Sequence, residues 1–174
     1  MSLSLYETTI PSYLQILGGV RGVLDKGAEQ AAAGTLDLDE LVKFRLRDDM
    51  LPFSFQVISV WHQSLNAIKG AKAGEFAPPP KMTDMDYAAC QGLVNEAISE
   101  LQALKPEDIN SLTGKPVIFK MGGMEIPFTS EGFLLSFALP NFYFHSTTTY
   151  TMLRQHGVPL GKMDFLAQLR VAQS

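Results

Sequence analysis

From Phe133 to His156 apolar positions recur with a helical period on more than one face at once. At about 100° per residue, Leu134, Ala138, Asn141, His145, Thr149 and Met152 share one broad stripe. Phe133, Phe137 and Phe144 make a second stripe, and Leu135, Phe142 and Leu153 a third. Apolar residues nearly all round the cylinder predict a helix buried on most sides. Thr129 or Ser130 caps its start, Glu131 favours the first turn, and Gly157 with Pro159 behind it marks the stop. Pro140 removes one backbone hydrogen bond in mid-helix, which predicts a kink between residues 136 and 140. Ser136 and Asn141 are the candidate donors to the carbonyl freed there.

The remaining pattern predicts three more long helices. Leu5, Ile10, Leu14, Leu17, Val20, Val23 and Leu24 recur at three- and four-residue spacing, giving a first helix from Leu3 to about Ala33. Gly18, Gly19 and Gly22 leave a smooth face on it, suited to close helix packing. A short helix follows from Asp37 to Phe44, with Asp37 as cap. Pro52 opens the second long helix, which reaches about Lys69 with Phe53, Val57, Val60, Trp61, Leu65 and Ile68 as its core face. His62 and Gln56 border that face, roughly 120° to either side. Residues 73–83 read as a loop containing three consecutive prolines. Thr83 caps the third long helix, which carries Tyr87, Cys90, Val94, Ala97, Ile98 and Leu101 inward and stops at Pro106. The period then changes. Val117, Phe119, Gly122–Gly123, Met124, Ile126 and Phe128 predict a short β-hairpin packed on the helices. The tail returns over them through Leu160, Phe165 and Leu166.

The fold class is therefore all-α, a four-helix bundle with a small β-hairpin before the fourth helix, in one domain over residues 1–174. A hydrophobic fraction of 46% against 18% charged residues agrees with a compact core. The net charge of −4 disfavours a nucleic-acid partner. The apolar run of the fourth helix is too often interrupted for a membrane span. The single cysteine, Cys90, forbids an intrachain disulfide, and no secretory signal precedes the first helix, so a cytoplasmic protein is expected.

Three stretches carry a family resemblance: SLYETTIPSYLQILGGVRGVLDKG from Ser4, DMLPFSFQ at Asp49–Gln56, and FALPNFYFHSTTTYTMLRQHGVPLGKMDFL from Phe137. They resemble the family called domain of unknown function 1993, within the DinB/YfiT-like superfamily of four-helix bundles. The resemblance implies an antiparallel-type bundle with a long crossover, often homodimeric. It implies no established activity. The wider superfamily includes metal-dependent, thiol-dependent transferases and isomerases, whose site uses one histidine on the second helix and two on the fourth. Here His145 matches the fourth-helix region and His62 lies in the second-helix region, but the positions one turn from His145 are Asn141 and Thr149.

Two readings of this region follow. In the first, the protein binds a small molecule between helices two and four, in a pocket lined by Gln56, Trp61, Asn141, Tyr143, His145 and Thr149. In the second it is an enzyme: His145 is catalytic as general acid or base, or His62 and His145 hold a divalent metal such as zinc, nickel or iron. Asp49 falls on the Gln56 side of helix two, making it a poor co-ligand for His62. His145 also has a plain structural reading, as a neutral core residue reached by Gln56, Tyr6, Tyr13 or Asp49. Cys90 reads as a small core residue and His156 as a surface residue at a helix end. The small-residue face of helix one, or the exposed part of helix four, offers a contact for a homodimer.

Overall fold

A computed structural model describes residues 3–172 of the chain; the termini of the expected single domain, 1–2 and 173–174, lie outside the described residues. Helix α1 spans Leu5–Ala32. It starts at a capping box the pattern did not signal: Ser4 Oγ accepts from Glu7 N, and the Glu7 carboxylate accepts from Ser4 N at 2.8 Å. Pro11 lies inside α1 without ending it. Helix α2, Leu38–Leu41, is capped by Asp37 as expected. The second long helix, α3, covers residues 53–73 as Phe53–Trp61, a π-helical stretch His62–Asn66, and Ala67–Ala73. Gly74, at φ 80°, ends it in the left-handed conformation that favours glycine.

Strand β1, Glu75–Phe76, lies within the expected loop. Helix α4 spans Tyr87–Gln102 and is capped by Asp86, whose carboxylate accepts from Ala89 N at 2.7 Å, not by Thr83. Pro106 opens a further short helix, α5, Pro106–Asn110. Strands β2 (Pro116–Met121) and β3 (Met124–Thr129) form the expected hairpin, paired from Pro116↔Thr129 to Met121↔Met124. Gly122 and Gly123, at φ 55° and 84°, supply the two positive-φ positions of a two-residue turn. Because β1 pairs in parallel with β2, the sheet has three strands in the order β1-β2-β3. Helix α6 covers residues 130–155: Ser130–Gly132, a π-helical stretch Phe133–Ala138, then Leu139–Gln155. Helix α7, Lys162–Leu166, closes the described chain against α1.

Where the proline predicted a kink, α6 carries this second π-helical stretch. Ser136 Oγ donates to the Gly132 carbonyl, and Asn141 Nδ2 donates to the Phe137 carbonyl at 2.7 Å. A wide turn lets α6 pass a residue that cannot donate a ladder bond, without breaking the helix.

The four long helices pack around one core. α1 lies between α4 and α6, and α3 faces them from the opposite corner. Tyr13 of α1 packs edge-on to Phe142 of α6, and Gly27 approaches Leu153, so these two helices run parallel. Phe53 stacks near Tyr87 and Lys69 pairs with Glu100, so α3 and α4 are also parallel. α3 opposes α6, since Gln56 meets His145 while Phe76, just beyond α3, meets Phe133. Two parallel neighbours need a return connection. Residues 77–86, with the proline triplet, supply it.

The structure is thus mostly helical, with a small three-stranded sheet and short helices besides the four long ones. Two expectations of burial change. α6 is not buried on most sides: Phe144 is 58% and Leu135 43% exposed. The small face of α1 divides in two. A Cβ on Gly19 would lie 2.2 Å from the Phe165 carbonyl oxygen, which explains the glycine by close packing of α7. A Cβ on Gly18 or Gly22 would meet nothing within 4 Å.

Candidate functional site

The centre of the candidate site is one hydrogen bond between α3 and α6. Gln56, one turn into α3, is buried and turned toward α6. Its Nε2 donates to the Leu51 carbonyl at 3.0 Å, so Oε1 faces His145 Nδ1 at 2.8 Å. That orientation makes Oε1 the acceptor and Nδ1 the donor, which fixes the His145 tautomer with its proton on Nδ1. Nε2 therefore carries the lone pair. Among the described residues it has no partner, yet it is not one of the sealed polar atoms that lack one. The imidazole sits edge-on between two phenylalanines, Phe144 with centroids 5.2 Å away and Phe55 at 6.1 Å. Burial pushes its pKa down from 6.5 to about 4. At neutral pH the ring is uncharged, and its open nitrogen is a hydrogen-bond acceptor.

His62 is turned elsewhere. It lies six residues beyond Gln56, about 9 Å along the helix and roughly 120° around it. Its Nε2 donates to the Ala77 carbonyl at 2.8 Å, and its ring stacks on Phe76 at 4.5 Å. Nδ1 is buried without a partner. Burial lowers the pKa of this histidine too, against a smaller opposing effect of the Ala77 bond. His62 thus holds the start of the 77–86 connection against α3. The sequence alone left open whether α3 presents Gln56 or His62 to α6; the structure presents Gln56 and does not bring the two histidines together.

The other expected lining residues are spent on different contacts. Trp61 Nε1 donates to Glu96 on α4 at 3.1 Å. Thr149 Oγ1 donates to the His145 carbonyl at 2.9 Å, inside its own helix, and about two turns earlier Asn141 Nδ2 donates in the same way to the Phe137 carbonyl. Tyr143 is 39% exposed and borders a shallow groove with Phe144, Pro140 and Thr147. Asp49 is exposed, pairs with Arg47 and does not reach the site. Of the expected partners of His145, Gln56 alone bonds its side chain. His156 is not a surface residue: it is half-buried, packs edge-on to Phe44 at 4.3 Å and bonds the Met152 carbonyl. Cys90 is fully buried, and burial pushes its thiol up to about 12, which agrees with a core role. Phe55 and the Leu51 carbonyl are the parts of the site that the pattern missed. Their signal was present in the DMLPFSFQ stretch, where Phe55 adjoins Gln56.

These residues do not fit a divalent metal. A three- or four-ligand site needs converging anionic or imidazole donors. Among the described residues no three His, Cys, Asp or Glu side chains come together to hold an ion. The His145 nitrogen nearest α3 is already bonded to a glutamine.

The overall fold has a solved counterpart. The chain is similar to the crystal structure of a DinB family member from Shewanella denitrificans, with a TM-score of 0.78 and 24% identity. The match covers 98% of this chain and 96% of that one, and it establishes a DinB-like fold. The family described as Domain of unknown function (DUF1993) matches residues 5–166, and the chain belongs to that family. No curated protein matches the chain. Among the described residues no helix is long and apolar enough to cross a membrane.

Proposed function

We propose that this protein binds a small neutral molecule at the seam of α3 and α6, without a metal, and that His145 Nε2 accepts a hydrogen bond from it. The observation behind the reading is an open lone pair on a histidine kept neutral and held in one tautomer by Gln56. The flanking edges of Phe55 and Phe144 favour a flat, largely apolar ligand with an N–H or O–H group. A general-base role for His145 is the second reading. A pKa of about 4 makes it a weak base at neutral pH, so binding is favoured over proton transfer.

The test uses phenol and indole as probes, read by chemical-shift changes and thermal shift on the full chain. The expected result is perturbation of the His145 ring signals together with a thermal shift, and loss of that thermal shift in His145→Ala. Equal binding by that variant contradicts the proposal. Elemental analysis of untagged protein tests the metal-free part: stoichiometric zinc, nickel or iron that disappears in His145→Ala would overturn it.

The homodimer expected from the family resemblance is assigned here to α6. No Asp, Glu, Lys or Arg occurs between Glu131 and Arg154, although Leu135, Tyr143 and Phe144 are exposed on that helix. A two-fold contact sets a face against its own copy, so a charge-free face meets no like-charge repulsion there. Sedimentation should give a dimer mass, and Phe144→Glu a monomer. A monomeric wild-type chain at micromolar concentration contradicts this assignment. A reducing, cytoplasmic setting is proposed with it, on the single thiol Cys90.

A further inference from the structure

A second, separate cleft lies on the other side of the molecule, between α1, α4 and the segment after α7. Its volume is about 600 Å³, within the range of small-molecule pockets of roughly 300–1,000 Å³. Leu14 of α1 and Ile98 of α4 give it apolar lining, and Gln102, Arg21 and Arg170 polar lining. No Asp or Glu lines it among the described residues, although the chain as a whole carries a net charge of −4. Neither arginine pairs with a carboxylate among the described residues. Among the described residues, the one side-chain hydrogen bond of Arg170 is a long one, 3.4 Å, to the Ser12 hydroxyl.

Gly18 adds an independent observation. It sits in the middle of α1, where glycine weakens a helix, and close packing does not explain it. It is part of the cleft wall, where a Cβ would enter empty space. The segment beside the cleft is tied to α1 where it begins. Gln15 Nε2 donates to the Leu166 carbonyl at 3.0 Å, and the next residue, Ala167, adopts φ 50°, a strained value for a residue with a Cβ.

We infer that this cleft binds a small amphiphilic anion, its carboxylate or phosphate head between Arg21 and Arg170 and its apolar body over Leu14, Ile98 and Gly18. Two guanidinium groups in the lining of one cleft, beside apolar side chains, offer partners for such a head and body. This site is independent of the reading given to His145.

The test is calorimetric titration of the full chain with octanoate and with octyl phosphate, with octanol as the uncharged comparison. The expected result is one-to-one binding of at least one anion, tighter than octanol. The tighter of the two identifies the head group. Arg21→Gln and Arg170→Gln are each expected to weaken it about tenfold, the loss typical of one charge-assisted hydrogen bond. Gly18→Leu is expected to leave the melting temperature equal or higher while abolishing binding, which separates ligand exclusion from damage to the fold. Any of three results overturns the inference: no heat from either anion at millimolar concentration, octanol binding as tightly as the anions, or full binding by Gly18→Leu.

Discussion

At the level of single residues, two imidazoles differ in what surrounds them. His145 has a folded-state pKa of about 4 against an ordinary 6.5, because burial penalises its charged form. Between those values the unfolded chain binds a proton that the folded chain does not. Its contribution to stability is therefore full above about pH 6.5, falls as pH drops toward 4, and is flat below. The upper bound on the loss is roughly 3 kcal/mol, reduced by the solvent that reaches the ring edge. His62 is shifted in the same direction, so the two add. Denaturant melts at pH 7 and pH 4.5 should show this slope, and His145→Gln should flatten it. A second expectation concerns Gln56. Gln56→Leu leaves His145 Nδ1–H and the Leu51 carbonyl without their partner, and should cost about 1–3 kcal/mol in the same melts. The sequence made His145 and Gln56 legible as polar residues near the core. It did not fix their pairing, because Gln56 and His62 border the apolar face of α3 symmetrically and either phase buries Phe53, Val57 and Val60.

At the scale of elements, glycine distinguishes packing from open space. In Gly27→Ala the new Cβ would lie 2.2 Å from Tyr87 Oη and 2.9 Å from a Leu153 methyl, forcing the buried tyrosine off its bond to the Leu24 carbonyl. A loss of about 1–3 kcal/mol is expected. Gly18→Ala, free of contacts, should instead gain up to about 1 kcal/mol from helix propensity. Thermal melts of the two single variants should move in opposite directions. His62 provides the test for the 77–86 connection. His62→Ala removes its bond to Ala77 and its stacking on Phe76, and should cost about 2 kcal/mol. Amide exchange should rise in residues 77–86 before it rises in α3. The hairpin was readable because Gly122–Gly123 separates two runs of strand period, a local signal. Strand β1 was not. It has two residues and no period of its own, and it exists because Phe76 packs among Phe119, Phe133 and Phe137 once α3 and α6 have met. An irregularity before Pro140 was readable from the proline, but its form as a π-helical turn was not; that turn packs Phe133, Leu134 and Ala138 into the core.

At the scale of the whole molecule, the crossover between parallel α3 and α4 sets the phase of everything around the site. Holding Ala77 with His62 commits that histidine to the outside of the α3–α6 seam and leaves Gln56 to face His145. Long apolar periods made the four long helices legible, since each buries one continuous stripe. The division of α1 between tight and open glycines was not, because it depends on where the tail returns. The fold gives its two α3–α6 region histidines different partners and opposite tautomers. The most direct measurement is long-range proton–nitrogen NMR of the imidazole rings from pH 7 down to pH 4, with His145→Gln and His62→Ala to assign the signals. The expected result is two neutral rings, His145 protonated at Nδ1 and His62 at Nε2, with His145 remaining neutral until the pH approaches 4. A His145 ring that carries its proton on Nε2, or that titrates near 6.5, would contradict the account.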